Sequence, residues 1–333
     1  MAYGRYAIHK GDAFGWLARR RPCSVHAVVT DPPFGLLEYS RAEVRRLRNG
    51  AGVWRLPPAF DGANRRALPR FTVLDVRHHK TIADFQKELA GLLLRVLVPG
   101  AHVFVASNTL LSHLVATSFT DKGFELRGQI ARVVRTFRGG DRPKFGHEEF
   151  DDLSVIPRST WEPWLLFRKP FEGRVFDNLL CWGTGALRRP TPLIPFFDLI
   201  ASGTAPQAER NLADHPSLKP QAFLRRLIHA ALPLGRGTLV DPFMGSGSTL
   251  AAASALGRYS IGIERDNRFF AMARRAIPLL RQIEVPCANS GEANHEVDAG
   301  KGHFAQDALT HRSTFKRAEE NRPIQLSARR SRR

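Results

Sequence analysis

Two rhythms of apolar and polar positions run along this chain. Val25–Thr30 (VHAVVT) is short, β-branched and nearly continuously apolar, the pattern of a strand covered on both faces of a parallel sheet. Asp31-Pro32-Pro33-Phe34-Gly35 ends it. Two consecutive prolines donate no ladder hydrogen bond and restrict the backbone, so the chain must leave the sheet in a rigid turn with Asp31 at the strand's carboxyl end. Across residues 83–97, Phe85, Leu89, Leu92, Leu93 and Val96 recur at helical spacing, and Pro99-Gly100 is read as the stop. Residues 101–106 (AHVFVA) read as a second buried strand and residues 124–134 as a further, partly alternating one, while Trp161 and Trp164 ahead of Leu165-Leu166-Phe167 are assigned to the sheet.

A second unit follows the same grammar. Residues 221–232 predict an amphipathic helix, 238–240 a short strand, 241–249 a glycine-containing turn, 250–256 an alanine-rich helix capped by Gly257, and 259–263 the next strand. Strand, helix, strand in this order predicts an α/β fold with helices on both faces of a parallel sheet. Residues 36–70 and 171–213 do not fit the repeat and are read as insertions above the sheet; beyond residue 285 periodicity is lost and a disordered tail is expected.

Charge narrows the partner. Fifty Lys and Arg against 31 Asp and Glu give a formal +19, far beyond what solubility needs, and point to a polyanion, with nucleic acid the first candidate. Basic charge does not by itself separate DNA from RNA. Cys23, Cys181 and Cys287 form no CxxC pair, so neither a zinc knuckle nor a disulfide framework is indicated and a reducing compartment fits. The first residues lack an uninterrupted apolar core, and no apolar run of about 20 residues occurs, so a soluble cytoplasmic protein without membrane contact is expected. The 12 histidines show no HExxH pattern, and no metal is expected.

Two constellations carry chemistry. Asp241-Pro242-Phe243-Met244-Gly245-Ser246-Gly247-Ser248-Thr249 lies between a predicted strand and helix, where glycines let backbone approach a ligand. It is neither a GxxxxGK[ST] phosphate loop nor a full dinucleotide fingerprint, and its Gly-Ser-Gly lacks esterase spacing. Glu264 ends the next strand at about the ~20-residue offset at which an acid grips ribose hydroxyls. An adenosyl ligand without phosphates satisfies both features. The second constellation, Asp31-Pro32-Pro33-Phe34, combines a carboxylate acceptor, a carbonyl outside regular structure and an aromatic face, which suits an amino group on a planar base. A dehydrogenase competes through the glycine turn, but it leaves this constellation and the arginine-rich insertion unexplained.

Together the motifs resemble the DNA methyltransferases that modify adenine N6 or cytosine N4 with S-adenosylmethionine, over roughly residues 5–283. DPPF is similar to that family's DPPY catalytic motif, and DPFMGSGST to its methionine-binding motif. Because the catalytic motif comes first, the order resembles the permuted β class. Gly11-Asp12 is similar to the element whose Asp approaches the donor's adenine, and His215-Pro216-Ser217-Leu218-Lys219-Pro220 to the H-P-[ST]-x-K-P segment bordering the methionine end. On their own, Asp12 would be a helix cap and Lys219 a solvated charge. Phe34 replaces the commoner Tyr and keeps the stacking face; cytosine N4 enzymes usually begin this motif with Ser, so Asp31 favours adenine.

The resemblance implies a Rossmann-like methyltransferase fold with a mostly parallel seven-stranded sheet and inserted DNA-recognition segments. It divides the chain into a methyltransferase domain, residues 1–285, and a basic tail, 286–333. Within the domain, residues 1–170 form a catalytic half with the basic insertion 36–70, 171–213 a target-recognition segment, and 214–285 a cosubstrate-binding half. It implies Asp31, Pro32, Pro33 and Phe34 as catalytic residues. Asp12, Lys219, Asp241, Phe243, Gly245, Ser246, Gly247, Ser248, Thr249 and Glu264 would bind the donor. The implied substrate is an adenine in double-stranded DNA, extruded from the helix, in a setting that can include a cognate restriction endonuclease. Arg41, Arg45 and Arg48 on one helical face, with Arg55, Arg65, Arg66 and Arg70, are the expected phosphate contacts, and Arg174, Arg188, Arg189 and Asn178 the candidates for reading bases. Cytosine N4 methylation and a catalytically idle DNA-binding protein remain alternatives.

Overall fold

The computed structural model describes residues 3–33, 76–134, 149–150, 152–215 and 217–285. In chain order these form β1 (Tyr6–Lys10), α1 (Ala13–Arg19), β2 (Val25–Thr30), α2 (Val76–Val96), β3 (Leu97–Ala106), α3 (Ser112–Asp121), β4 (Glu125–Val133) and β5 (Trp161–Arg168). There follow α4 (Val175–Trp182), β6 (Leu199–Ala201), α5 (Gln207–Leu212), α6 (Gln221–Ala231), β7 (Thr238–Asp241), α7 (Ser248–Ala255), β8 (Tyr259–Glu264) and α8 (Asn267–Leu280). The strands make one sheet in the order β1-β8-β7-β2-β3-β5-β4-β6. Only β5 runs against its neighbours.

Alternation within the apolar strands explains how both faces are covered. Val28 of β2 and Val240 of β7 point to the side where α1, α2 and α3 pack through Leu17, Leu89, Leu93 and Phe119. Ala27, Val29 and Leu239 point to the other side, against Phe223, Leu227 and Ile228 of α6 and Ala252 and Ala253 of α7. A run apolar at every position is therefore what a doubly covered strand requires.

Four expectations change in detail. The sheet has eight strands among the described residues, one more than expected, because β6 pairs in parallel with β4 through Ala131↔Leu199, Arg132↔Ile200 and Val133↔Ala201. Residues 171–213 are thus not wholly an insertion above the sheet: they add its edge strand, which at three residues is too short to leave a periodic signal. Pro99-Gly100 does not sit after the helix but inside β3, where the register with β2 shifts. Gly100 has φ +75°, and a side chain there would collide with Asn178. Asn178, one of the candidates for reading bases, is instead a buried staple: its amide donates to Pro99 O at 3.1 Å and Thr184 O at 2.8 Å. The insertion 36–70 and the tail after residue 285 lie outside the described residues. Among the described residues no helix is long and apolar enough to cross a membrane.

Phe167 is fully buried in β5 and stacks on Phe119 with centroids 4.5 Å apart. Phe167→Ala is expected to cost about 3–5 kcal/mol, checked by urea unfolding against the unaltered chain.

Candidate active site

Parallel pairing of β2 with β7 (Val28↔Val240) brings the carboxyl ends of these two strands side by side. Just beyond the paired positions, the Thr30 hydroxyl donates to Asp241 Oδ1 at 2.7 Å, and the same oxygen accepts from Phe243 N at 3.1 Å. Asp241 is only 3% exposed. Burial pushes its carboxyl up to about 6, the negative charge of Asp31 adds to the effect, and the bonds from Thr249, Thr30 and Phe243 N hold it back. Both strand ends are thereby tied together at the point where each chain leaves the sheet.

The glycine turn after β7 is built on β8. Met244 N donates to Ile263 O at 3.0 Å and Gly245 N to Glu264 Oε2 at 3.0 Å, while Asp266 N donates to Glu264 Oε1 at 2.7 Å. Burial raises the Glu264 carboxyl above its ordinary pKa. Gly245 and Gly247 have φ of +52° and +84°, conformations that side chains rarely adopt. A Cβ on Gly247 would fall on Ile277, and one on Gly245 would approach His215 Nε2 to 2.8 Å. Gly247 is the N-cap of α7; Ser248 and Thr249 are buried in its first turn and Ser246 is buried just before the cap. Phe243 packs with Phe14 and Phe85, at 6.3 and 5.9 Å between centroids.

Asp12 caps α1, its Oδ2 accepting from Gly15 N at 2.7 Å. Because Lys10 pairs with Glu264 and Gly11 N donates to Glu264 O, Asp12 belongs to the same end of the sheet. A cradle of glycines with two carboxylates at strand ends, and no P-loop lysine, fits an adenosyl group carrying no phosphate. Asp12 and Glu264 would hold its adenosine and the turn at Gly245–Gly247 its amino-acid end.

One cavity is lined by both motifs: Asp31 from the first, and Asp241, Phe243, Gly245, Ser248 and Thr249 from the second. The segment before α6 supplies its third wall through His215, Ser217 and Lys219. The Lys219 ammonium donates to Asp31 Oδ2 at 2.8 Å and to Ser217 Oγ at 3.0 Å, and Ser217 Oγ donates to Asp31 Oδ2 in turn. Burial alone would raise Asp31, but Lys219, then Ser217 and the nearby His215, hold its carboxyl below the usual range. Burial likewise opposes the charge on Lys219, yet Asp31 and Glu162 keep its pKa raised. Lys219 thus touches the DPPF carboxylate as well as bordering the cavity. Pro32 is buried and Pro33 exposed directly after Asp31.

Phe34, Pro216 and the candidate phosphate contacts Arg41, Arg45, Arg48, Arg55, Arg65, Arg66 and Arg70 lie outside the described residues. Arg174 is exposed and paired with Asp177 at 2.8 Å. Trp164, assigned to the sheet from sequence, also lines the cavity, and Glu162 stands behind Lys219 at 3.4 Å. Ser217 was open to discovery through the HPSLKP segment; nothing in the sequence marks Glu162.

A family model described as DNA methylase, N6_N4_Mtase, matches residues 172–275. The Type II methyltransferase M2.DpnII of Streptococcus pneumoniae is 34% identical over 285 residues, covering 80% of this chain and 87% of the relative. The Type II methyltransferase M.HindIII of Haemophilus influenzae is 22% identical over 298 residues, covering 80% and 93%. Among solved structures, the PvuII DNA methyltransferase (cytosine-N4-specific) shares the fold with a TM-score of 0.53 at 16% identity, over 85% of this chain and 88% of that one. The chain belongs to the N6/N4 amino-methylating DNA methylases, the family whose methyl donor is S-adenosylmethionine.

Asp241 gives a pH signature. Its folded pKa of about 6 lies above the ordinary 3.8, so its contribution favours the fold at pH below 3.8 and is lost as pH rises towards 6. Asp241→Asn removes that loss. Its melting temperature should exceed the unaltered chain's at pH 8, by the equivalent of at most about 3 kcal/mol, and the gap should close towards pH 4 in a calorimetric series.

Proposed function

We propose that the chain is a site-specific DNA methyltransferase acting on the exocyclic N6 of an adenine extruded from double-stranded DNA. The observation that carries this reading is the shared cavity: Asp31 just after β2 and Asp241, Phe243 and Gly245 at the end of β7 and in the turn after it line one space. Asp31 and the Pro32 carbonyl would accept hydrogen bonds from the amino group, directing its otherwise delocalised lone pair outward. A carboxylate held below its usual pKa suits this task, because it stays ionised and accepts a hydrogen bond rather than keeping a proton. Phe34 would stack on the base. S-adenosylmethionine supplies a methyl group already activated on a sulfonium. The protein's remaining contribution is alignment of the two reactants.

Adenine is favoured because the DPPF motif begins with Asp rather than Ser. Cytosine N4 is the second reading, supported by the fold shared with a cytosine-N4-specific enzyme. Extrusion of the base costs a few kcal/mol, which the basic stretch from Arg41 to Arg70 would offset through phosphate contacts. Since the two relatives are Type II methyltransferases, a companion restriction endonuclease is the proposed biological partner.

The test is transfer of a tritiated methyl group from S-adenosylmethionine to DNA, followed by digestion to nucleosides. The product should be N6-methyldeoxyadenosine, and Asp31→Ala should lower the rate by about 10²–10³. N4-methyldeoxycytidine would establish the second reading, and incorporation indifferent to Asp31 would overturn both.

A further inference from the structure

Behind the cavity, alternating charges run from the substrate-facing carboxylate to the far edge of the sheet. Asp31 Oδ2 meets Lys219 Nζ at 2.8 Å, and Lys219 Nζ meets Glu162 Oε1 at 3.4 Å. Glu162 Oε2 meets Arg132 Nη1 at 3.2 Å. The chain ends where Arg132 Nε donates to Ser202 Oγ at 3.2 Å and Nη2 to Gly203 O at 2.8 Å, directly after β6. Two negative and two positive groups balance. Their side chains are 26%, 12%, 22% and 4% exposed from Asp31 to Arg132.

Sheet register builds this line. Arg132 of β4 stands opposite Glu162 of β5 on one side and Ile200 of β6 on the other. Glu162 has little freedom to turn, because Oε1 also accepts from Trp164 Nε1 at 2.7 Å. Trp164 packs edge-on against Phe223 at 5.2 Å, and the Arg132 guanidinium lies 5.1 Å from the same ring. Stability alone offers no reason for four shielded charges, since well-packed apolar residues do as well or better in such places. What the line does achieve is to hold Lys219 between two carboxylates. Left to Asp31 alone, the ammonium would offset the negative charge that the substrate's amino group needs; shared with Glu162, it fixes Oδ2. Asp31 Oδ1 bonds no described residue.

We infer that Glu162 and Arg132 are positioning residues for methyl transfer: acting through Lys219, they set the orientation and acceptor strength of Asp31, and they tie that setting to the β6 edge. This rests on the proposed role of Asp31, and the test keeps the two apart.

Single-turnover rates and Michaelis constants are measured for Glu162→Gln, Lys219→Met and the double variant, with active sites counted by S-adenosylmethionine binding. Glu162→Gln should lower the transfer rate about tenfold, with the Michaelis constants for donor and DNA changed less than about twofold. In the Lys219→Met background it should cost less than about twofold more, because a residue acting through Lys219 has nothing left to act on. Glu162→Asp, which keeps the charge but draws it back from Nζ, should be intermediate, and it decides the matter should Glu162→Gln fail to fold. An unaltered rate in either Glu162 variant, or losses that simply multiply in the double variant, overturns the inference. Full activity in Asp31→Ala refutes the reading of Asp31 instead.

Discussion

The bond between Thr30 and Asp241 holds together what the proposed chemistry needs together. Each residue ends an apolar strand, Asp241 directly before Pro242 and Thr30 one residue before Pro32-Pro33, so both strands stop near the same level of the sheet and turn away. The hydroxyl of one and the carboxylate of the other lock that level at 2.7 Å. Asp31 then follows Thr30 on one side, and the glycine turn follows Asp241 on the other. Neither motif could select its neighbour by local sequence alone. The sheet's parallel pairing does so, and a buried acid with a raised pKa is the energetic cost of the lock.

Charge is arranged around this point with a clear division of labour. Glu264 spends both carboxylate oxygens on backbone N–H groups and so shapes the glycine turn. Asp31 is the acid countered directly by a lysine, and it keeps its charge although it is partly buried. Asp241, buried and with no cation beside it among the described residues, is pushed the other way. Three carboxylates at adjacent strand ends are therefore three different chemical groups, distinguished by their partners rather than by residue type.

Much of this was legible in the sequence where the signal is local. The apolar runs at Val25–Thr30 and 238–240, the double proline, the glycines before an alanine-rich helix and the acid at Glu264 each state their own conformation. Signals that depend on register were not legible. Arg132, Glu162 and Trp164 read as ordinary strand residues, and only the antiparallel pairing of β4 with β5 brings Arg132 to Glu162. Asn178 looked like a surface amide until the bulge at Gly100 closed over it. Pro99-Gly100 misled because a helix followed immediately by a bulged strand carries the same punctuation as a helix followed by a loop.

The order of the strands has a consequence for how the molecule comes into being. Thr30 and Asp241 are 211 positions apart, and the bond from Ser254 to Gly4 spans 250. On the ribosome, the segment that begins with the double-proline strand must wait for most of the polypeptide to emerge before its β7 neighbour exists. Such distant pairings form slowly and leave an apolar ribbon unpaired in the meantime. The cavity between the two strand ends is thus among the last features to take shape.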